Sequence, residues 1–259
     1  MKKMIFIDVD GTLFDNQNQI VHDNTIRGIK ELAENENYIL GLATGRSFNQ
    51  LKAVEVLLPY FKYKVLINGA ATYKDDCLLF STAMNKEDLE RIYRFSKEKN
   101  NGVAYIGEKE FKISDLNDAS IASLRDYDLR IPEIDPFFYK YQDIFQVWVF
   151  SENEACIESY KKTFPHLTIY PWSKDGFDIT NGGVNKGEAI KRLRELEHVD
   201  ELICIGDGAN DVEMIKISDR GVAMGNSKSE ELKKAATLVT ARIDEDGLYK
   251  ALIKLDLLK

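Results

Sequence analysis

Two aspartates at the end of a short apolar run near the N-terminus are the residues best suited to chemistry. The run spans residues 4–7, and Asp8, Asp10 and Gly11 follow it. Four apolar residues in a row predict a buried β-strand, and side chains two positions apart on an extended chain point to the same side. Both carboxylates should therefore face one site, where a cation or a proton relieves their repulsion. A divalent cation together with a phosphoryl group would explain the pair.

Two alternative structures compete for this local pattern. A strand followed by an ordinary Asp-Gly turn would need no functional site. An EF-hand calcium loop needs further acidic ligands at fixed offsets and a glutamate at its twelfth position, whereas Thr12, Leu13 and Phe14 follow here. The EF-hand is a poor fit, and only the rest of the chain can decide against the ordinary turn.

The chain is acidic and long enough to bury a sizeable core. Its 259 residues carry a formal net charge of −8, and 44% of them are hydrophobic. This length allows one large domain or two moderate ones. No run rich in lysine and arginine is present, so we expect no nucleic-acid partner.

Cysteine and histidine usage narrows the class of protein further. Cys77, Cys156 and Cys204 are sparse and widely spaced, which argues against a disulfide framework and fits a reducing cytosol. The three histidines are not paired at ligand spacing, so a histidine-ligated metal site is not expected. The N-terminus enters a strand directly and no apolar run reaches about 18 residues. We therefore expect a cytoplasmic protein without a membrane partner.

Strand-like apolar runs alternate with amphipathic, helix-like runs in the first and last parts of the chain. This alternation predicts an α/β fold with a doubly wound, Rossmann-like parallel sheet. A polar, aromatic-rich stretch from about Asn85 to Thr180 predicts a second, α+β domain inserted into the first. The predicted core is residues 1–82 and 184–259, and the predicted insertion is residues 83–183.

Local signals predict where several helices begin and end. Asp23 is expected to cap the first helix, and Ser47 is expected to cap a helix that stops before Pro59. In the inserted block Asn85 is expected to cap one helix. A second helix is expected there over residues 152–164.

Polar residues follow four of the apolar runs. In open α/β sheets ligands bind beyond the carboxyl ends of the strands, so these residues should share one site. Lys186 is predicted to open a helix just before one of these strands and to add a cation. The strand-end residues are Asp8 with Asp10, Thr44, Asp207 with Asp211, and Asn226.

In these residues the sequence resembles the haloacid dehalogenase (HAD) superfamily of phosphohydrolases, whose four motifs it carries in order. The first motif lies at residues 8–12, the second at 43–46 around Thr44, the third at 184–187 around Lys186, and the fourth at 206–211. The resemblance covers essentially the whole chain. Four ordered motifs are a specific signal, whereas a lone Asp-x-Asp would not be.

The position of the inserted block is similar to that of the C2 cap in the Cof-type subgroup. About 33 residues separate Asp10 from Thr44, which leaves no room for a cap there, whereas about 140 separate Thr44 from Lys186. The resemblance implies that this C2-type α+β cap closes over the active site and selects the leaving group.

The resemblance also implies roles in catalysis and metal binding. Asp8 would be the nucleophile that forms an aspartyl-phosphate, and Asp10 would act first as general acid and then as general base. Magnesium would be bound by Asp8, the backbone carbonyl of Asp10, and Asp207, a set of ligands that suits this ion. Asp211 would support the metal shell or pair with Lys186.

Five further assignments concern the substrate phosphate. Thr44 would donate a hydrogen bond to it, and Lys186 would neutralise one oxygen and orient the nucleophile. Arg46 and Asn210 would contact the phosphate end of the substrate. The backbone around Gly11 could cradle the phosphate with its N–H groups.

The leading hypothesis is a Mg²⁺-dependent phosphohydrolase of small phosphorylated metabolites, with sugar phosphates first among them. One alternative is a phosphomutase of the same superfamily, similar to the phosphomannomutases. Another is a non-enzymatic, receiver-like module phosphorylated on Asp8, against which the cap, Asp10 and Lys186 all argue. The sequence leaves open whether the protein is a monomer or a homodimer and whether Asn226 belongs to the site. The loop from Lys174 to Asp178 is a candidate specificity element.

Overall fold

The chain folds into two compact units. The computed structural model describes residues 1–126, 131–151, 153, 155–173 and 176–258. The first unit consists of Met1–Phe80 with Asn185–Lys259, and the second of Ser81–Val184. The role of the second unit as a cap stays a prediction, as does the candidate specificity loop, of which Lys174 and Asp175 lie outside the described residues.

Strands and helices follow one another closely along the chain. In chain order the elements are β1 (Lys3–Asp8), α1 (Asp23–Ala33), β2 (Tyr38–Ala43), β3 (Tyr63–Leu66), β4 (Ala71–Lys74), β5 (Cys77–Ser81), α2 (Lys86–Glu98), β6 (Gly102–Ile106), β7 (Phe111–Ile113), α3 (Asp118–Asp126), β8 (Gln146–Phe150), α4 (Cys156–Thr163), β9 (Leu167–Ser173), β10 (Gly176–Asn181), α5 (Lys186–Glu197), β11 (Glu201–Gly206), α6 (Val212–Ile217), β12 (Arg220–Ala223), α7 (Glu230–Ala235), β13 (Leu238–Val239) and α8 (Gly247–Lys254).

The first unit is built on an eight-stranded sheet with the order β13-β12-β11-β1-β2-β3-β4-β5. The pairs from β13 to β3 are parallel, and β4 runs antiparallel to β3. Asp75 and Asp76 join β4 to β5 with φ values of 47° and 64°, which suit a tight hairpin turn. The predicted α/β fold with a doubly wound parallel sheet is confirmed.

The central strand β1 is buried on both faces, which explains its unbroken apolar sequence. Met4 and Phe6 pack in a cluster with Ile190 of α5. Ile5 and Ile7 alternate with them, so they face the opposite side of the sheet, and they are fully buried as well. Burial of each such side chain is worth about 1.5–3 kcal/mol, so β1 is a rigid base for the aspartates at its end.

The second unit is a five-stranded antiparallel sheet with the order β7-β6-β8-β10-β9. Helices α2 and α4 cover one face, where Leu89 and Tyr160 pack with Val147 and Val149 of β8. Asn85 accepts a hydrogen bond from the N–H of Glu87 at 2.8 Å, so its predicted role as a helix cap is confirmed.

Two helix-end predictions in the first unit are wrong. Helix α1 starts at Asp23 itself, and His22 occupies the cap position without a side-chain hydrogen bond. Asp23 instead lies in the first turn, where its charge favours the helix N-terminus. The segment Phe48–Tyr60 is 3-10 helix rather than α-helix and includes Pro59. Its break falls at Val54, whose φ of −120° is not helical.

The helix predicted over residues 152–164 is α4, and it is shorter than predicted. It covers Cys156–Thr163, whereas the predicted range began at 152, which lies outside the described residues. Phe164 leaves the helix with φ −125° and ψ 60°, immediately before a proline that disfavours helical geometry in the residue preceding it.

Among the described residues, we find no helix that is both long and apolar enough to cross a membrane.

Candidate active site

The carboxyl ends of three neighbouring strands bring predicted site residues together. Strands β11, β1 and β2 are adjacent and parallel, so their ends lie at the same edge of the sheet. Asp8 is the last residue of β1, and Thr44 and Asp207 directly follow β2 and β11. Residues separated by almost 200 positions thus meet at one edge, as the strand-end pattern predicts.

The ammonium group of Lys186 is fully buried between two carboxylates. Its Nζ donates to Asp8 Oδ1 and to Asp211 Oδ1, both at 2.6 Å. Burial by itself lowers the pKa of Lys186, but the two carboxylates outweigh it and raise that pKa. Lys186 therefore stays charged, and it holds Asp8 in one orientation.

The start of helix α5 fixes the position of this lysine. Asn185 accepts a hydrogen bond from the N–H of Glu188 at 2.9 Å, which is the bond of a helix cap. Lys186 is the first residue of the helix, as predicted. Its side chain is therefore delivered from the first turn of a capped helix rather than from a loop.

Asp211 shapes the turn that carries Asp207. Asp211 Oδ2 accepts hydrogen bonds from the N–H groups of Asp207 at 2.9 Å and Gly208 at 2.8 Å. Its Oδ1 accepts from Lys186, so both oxygens have partners. A Cβ on Gly206 would lie only 2.5 Å from Asp211 Cγ, which explains the glycine at the end of β11. In this geometry Asp211 pairs with Lys186 and positions the turn.

Carboxylate oxygens of Asp8, Asp207 and Asp211 all lie within 4.8 Å of one another. Burial and the charge of Asp211 raise the pKa of Asp8 well above its usual range, although Lys186 opposes them. The same two causes raise the pKa of Asp207 to about 7. The cluster thus holds more negative charge than one lysine compensates.

The oxygens that remain in this cluster fit a hard divalent cation. No described residue donates a hydrogen bond to Asp8 Oδ2 or Asp207 Oδ1, whereas both oxygens of Asp211 are engaged. Gly11 has a φ of +76°, and a Cβ there would overlap Asp207 Oδ2, so glycine lets the Asp207 carboxylate lie against the backbone of the first motif. Carboxylate oxygens with room for water and phosphate are the environment that Mg²⁺ prefers.

Asp10 is clamped by an arginine rather than left free. Arg46 Nη2 donates to Asp10 Oδ1 at 2.7 Å and Arg46 Nε donates to Asp10 Oδ2 at 2.8 Å. Asn16 adds a hydrogen bond to Oδ1 at 2.7 Å, and the carbonyl of Gln50 anchors Arg46 Nη1 at 2.9 Å. Burial raises the pKa of Asp10, but Arg46 and Asn16 outweigh it and lower that pKa. Asp10 is therefore ionised here.

Three of the residues predicted to bind phosphate have donors to offer. Thr44 is buried, and its Oγ1 accepts from the N–H of Arg46 at 3.1 Å, while its own O–H donates to no described residue. Asn210 Nδ2 donates to Asn68 Oδ1 at 2.9 Å. Lys186 contributes its ammonium group beside both aspartates. The roles of these residues toward phosphate stay predictions.

Gly11 and Asn226 both make hydrogen bonds within the first unit. The N–H of Gly11 donates to the carbonyl of Phe14 at 2.9 Å and to Asn16 Oδ1 at 3.1 Å, so a phosphate contact from this amide would compete with both. Asn226 Nδ2 donates to Asp207 Oδ2 at 3.0 Å and to the carbonyl of Gly11 at 2.9 Å. Asn226 thereby ties the first motif to the fourth.

Sequence reasoning missed Asn16 and Asn68. Asn16 contacts both Asp10 and Gly11, but nothing in its sequence context distinguishes it from other loop asparagines. Asn68 had a usable signal, because it follows an apolar strand and precedes a glycine, the same arrangement that marks the other strand ends.

Comparison with known proteins agrees with this geometry. Residues 5–252 match the family model of haloacid dehalogenase-like hydrolases. The chain is 30% identical over 264 residues to the "Putative phosphatase YkrA" of Bacillus subtilis (strain 168), with 99% of each chain covered. It is 25% identical over 261 residues to the 5-amino-6-(5-phospho-D-ribitylamino)uracil phosphatase YcsE of the same strain, with 96% of this chain and 94% of the relative covered.

The same similarity extends to solved structures. The HAD subclass IIB sugar phosphatase BT4131 superposes with a TM-score of 0.87 at 24% identity, over 99% of this chain and all of that one. At this identity the superposition shows a shared fold. Together with the match to the family model, these findings confirm the resemblance drawn from the four motifs: the chain belongs to the haloacid dehalogenase-like hydrolases and is a phosphatase of that family.

Proposed function

We propose that this protein is a Mg²⁺-dependent phosphohydrolase of small phosphorylated metabolites, with sugar phosphates as the leading substrate class. The observation that carries the proposal is the arrangement of Asp8, whose Oδ1 is held by Lys186 and whose carboxylate has an oxygen within 4.8 Å of carboxylate oxygens of Asp207 and Asp211. The curated relative YcsE acts on a compound with a phosphorylated ribityl chain, which supports sugar phosphates as the class to test first.

Asp8 acts as the nucleophile in this proposal. Its carboxylate attacks phosphorus and forms an aspartyl-phosphate, so that one difficult hydrolysis becomes two easier steps. Lys186 fixes the carboxylate and neutralises part of the charge that develops on the phosphoryl oxygens. Because Lys186 holds Oδ1 of Asp8, the carboxylate keeps one orientation as the substrate approaches.

Asp10 acts as the general acid and base. Its ionised form beside Arg46 is the form that takes a proton from the hydrolytic water in the second step. The first step needs a protonated Asp10 to protonate the leaving oxygen, and this form is not the one that Arg46 favours. The pairing of Asp10 with Arg46 must therefore loosen as Asp10 takes up its proton, and it can re-form as that proton passes to the leaving oxygen.

Magnesium is proposed to be held by Asp8, the backbone carbonyl of Asp10, and Asp207, with Asp211 positioning the turn. When bound, the ion offsets repulsion between the carboxylates and the anionic phosphate and stabilises charge in the transition state. Thr44 donates its O–H to a phosphoryl oxygen, and Asn210 donates an N–H. Positioning and charge stabilisation of this kind supply most of the catalysis of phosphoryl transfer.

The proposal is tested by measuring phosphate release from a panel of sugar phosphates, nucleotides, pyridoxal phosphate and flavin mononucleotide. We expect turnover with Mg²⁺ that is fastest on one or more sugar phosphates. Turnover that favours another class would replace the substrate assignment. An isomerised product without phosphate release would indicate a mutase and contradict the hydrolase.

A further inference from the structure

Three consecutive residues after β3 hold a left-handed backbone conformation. The φ values are +53° for Ile67, +52° for Asn68 and +96° for Gly69. A β-branched residue such as isoleucine is rarely found in this region, and a conformation of this kind persists only where its surroundings enforce it. Gly69 has no alternative, because a Cβ there would overlap the carbonyl oxygen of Asn185.

Backbone hydrogen bonds tie this segment to the turn that carries Thr44. The N–H of Ile67 donates to the carbonyl of Arg46 at 3.0 Å, and the N–H of Asn68 donates to the carbonyl of Thr44 at 3.0 Å. The segment is therefore hydrogen-bonded directly to the second motif, and its strained residues lie at the edge of the active site. Strained backbone of this kind is concentrated at functional sites.

The side chain of Asn68 joins this segment to the fourth motif. It is 1% exposed, and its Oδ1 accepts from Asn210 Nδ2 at 2.9 Å. It also packs on Gly45, where a Cβ would lie 3.2 Å from Oδ1. A single buried carboxamide thus lies between the turns after β2 and β11.

The contact fixes which end of the Asn210 side chain faces the site. A carbonyl oxygen can only accept, so Asn68 Oδ1 selects the NH₂ group of Asn210 as its partner. That NH₂ group has a second N–H, which donates to no described residue. Phosphoryl oxygens are also acceptors only. An Asn210 held in this orientation presents a donor to phosphate, whereas the flipped amide would present a repelling oxygen.

We propose that Asn68 is a positioning residue that acts through Asn210 and keeps an N–H of Asn210 directed at the substrate phosphate. The strained backbone from Ile67 to Gly69 sets the place of the Asn68 carboxamide. This inference rests on the proposed phosphatase function and adds a residue outside its four motifs.

Asn68→Gly is the variant that tests the side chain without disturbing the backbone, because glycine adopts a positive φ freely. We expect kcat/KM to fall about 100-fold, the scale of a misplaced group in an active site, and inhibition by inorganic phosphate to weaken. The melting temperature should fall by a few degrees, because the buried hydrogen bond to Asn210 is lost, and unfolding should stay cooperative. The matched control is Asn100→Gly, because Asn100 is exposed and also has a positive φ of 57°; its kinetics should equal those of the wild type.

A double-mutant cycle with Asn210→Ala separates positioning from a merely structural role. If Asn68 acts through Asn210, the double variant should be no slower than Asn210→Ala alone. Additive losses, or wild-type kinetics in Asn68→Gly or in Asn210→Ala, would overturn the inference while leaving the phosphatase assignment intact. A wild-type protein that releases no phosphate would instead overturn the proposed function, and this inference with it.

Discussion

The buried side chain of Lys186 is central to both the stability and the geometry of this site. Its ammonium group is fully buried and bonded to two aspartates that come from different motifs. A buried charge is tolerated only when it is paired, and removal of one partner leaves the others uncompensated. The same residue therefore supports both the fold and the proposed chemistry.

Replacing Lys186 with alanine should affect stability and turnover together. The variant leaves Asp8 and Asp211 buried without their cation, so we expect about 3–5 kcal/mol less stability and loss of phosphate release. Urea unfolding and a phosphate assay measure the two effects. A variant with wild-type stability would show that the buried pairing contributes little.

The resemblance implies that Arg46 binds phosphate, but its guanidinium is occupied by Asp10 and by the carbonyl of Gln50. In Arg46→Lys a single ammonium replaces the planar fork and cannot hold both oxygens of Asp10 in the same way. We expect kcat to fall at least about tenfold with little change in KM, the signature of an interaction made in the transition state. A raised KM with unchanged kcat would favour the phosphate contact instead.

At the scale of elements, the sequence predicts the features that depend on periodicity and strand order. The apolar runs before Asp8, Thr44 and Asp207 identify three strands, and the parallel sheet brings their ends together. The hydrogen bond from Asn16 to Asp10 depends on how the loop after β1 folds back, and no periodic sequence pattern predicts this. The 3-10 segment after Ser47 escaped prediction because its break falls at Val54 and not at the proline within it.

Helix α5 begins at Lys186 and ends at Glu197, and Glu197 allows a test of how charge affects stability away from the active site. Burial raises the pKa of Glu197, but hydrogen bonds from Lys2, Lys62 and Tyr63 outweigh it and lower the pKa to about 2. A carboxylate with a lowered folded-state pKa stabilises the protein above its unfolded pKa, and this stability is lost as the pH falls toward 2.

Glu197→Gln should therefore cost about 1 kcal/mol at pH 7, and the difference from wild type should shrink between pH 4.5 and pH 2. Urea unfolding at several pH values measures it. Glu195→Gln is the matched control, because Glu195 is an exposed neighbour on the same helix. A difference that does not depend on pH would contradict the role of the charge.

At the scale of the whole molecule, the four motifs predict the family, and the family match confirms it. The substrate is harder to predict, because the side chains that recognise a leaving group follow no common spacing in one sequence. The metal can be predicted more readily than the substrate but less readily than the family. The acidic cluster is present, and the raised pKa values of Asp8 and Asp207 give the physical reason to expect a cation.

Binding of Mg²⁺ should be visible without any turnover. A ligand that binds only the folded state raises its melting temperature, so Mg²⁺ at millimolar concentration should raise that of the wild type by a few degrees. Asp207→Asn should abolish the shift, whereas Asp244→Asn, at an exposed aspartate paired with Arg242, should retain it. An equal shift in all three proteins would exclude Asp207 as a ligand.

The most direct test of the central claim is phosphate release by the wild type and by Asp8→Asn, each with Mg²⁺ and with a chelator. We expect turnover only in the wild type with Mg²⁺, and cooperative unfolding of both proteins. Turnover by Asp8→Asn would contradict the nucleophile, and turnover under chelation would contradict the metal.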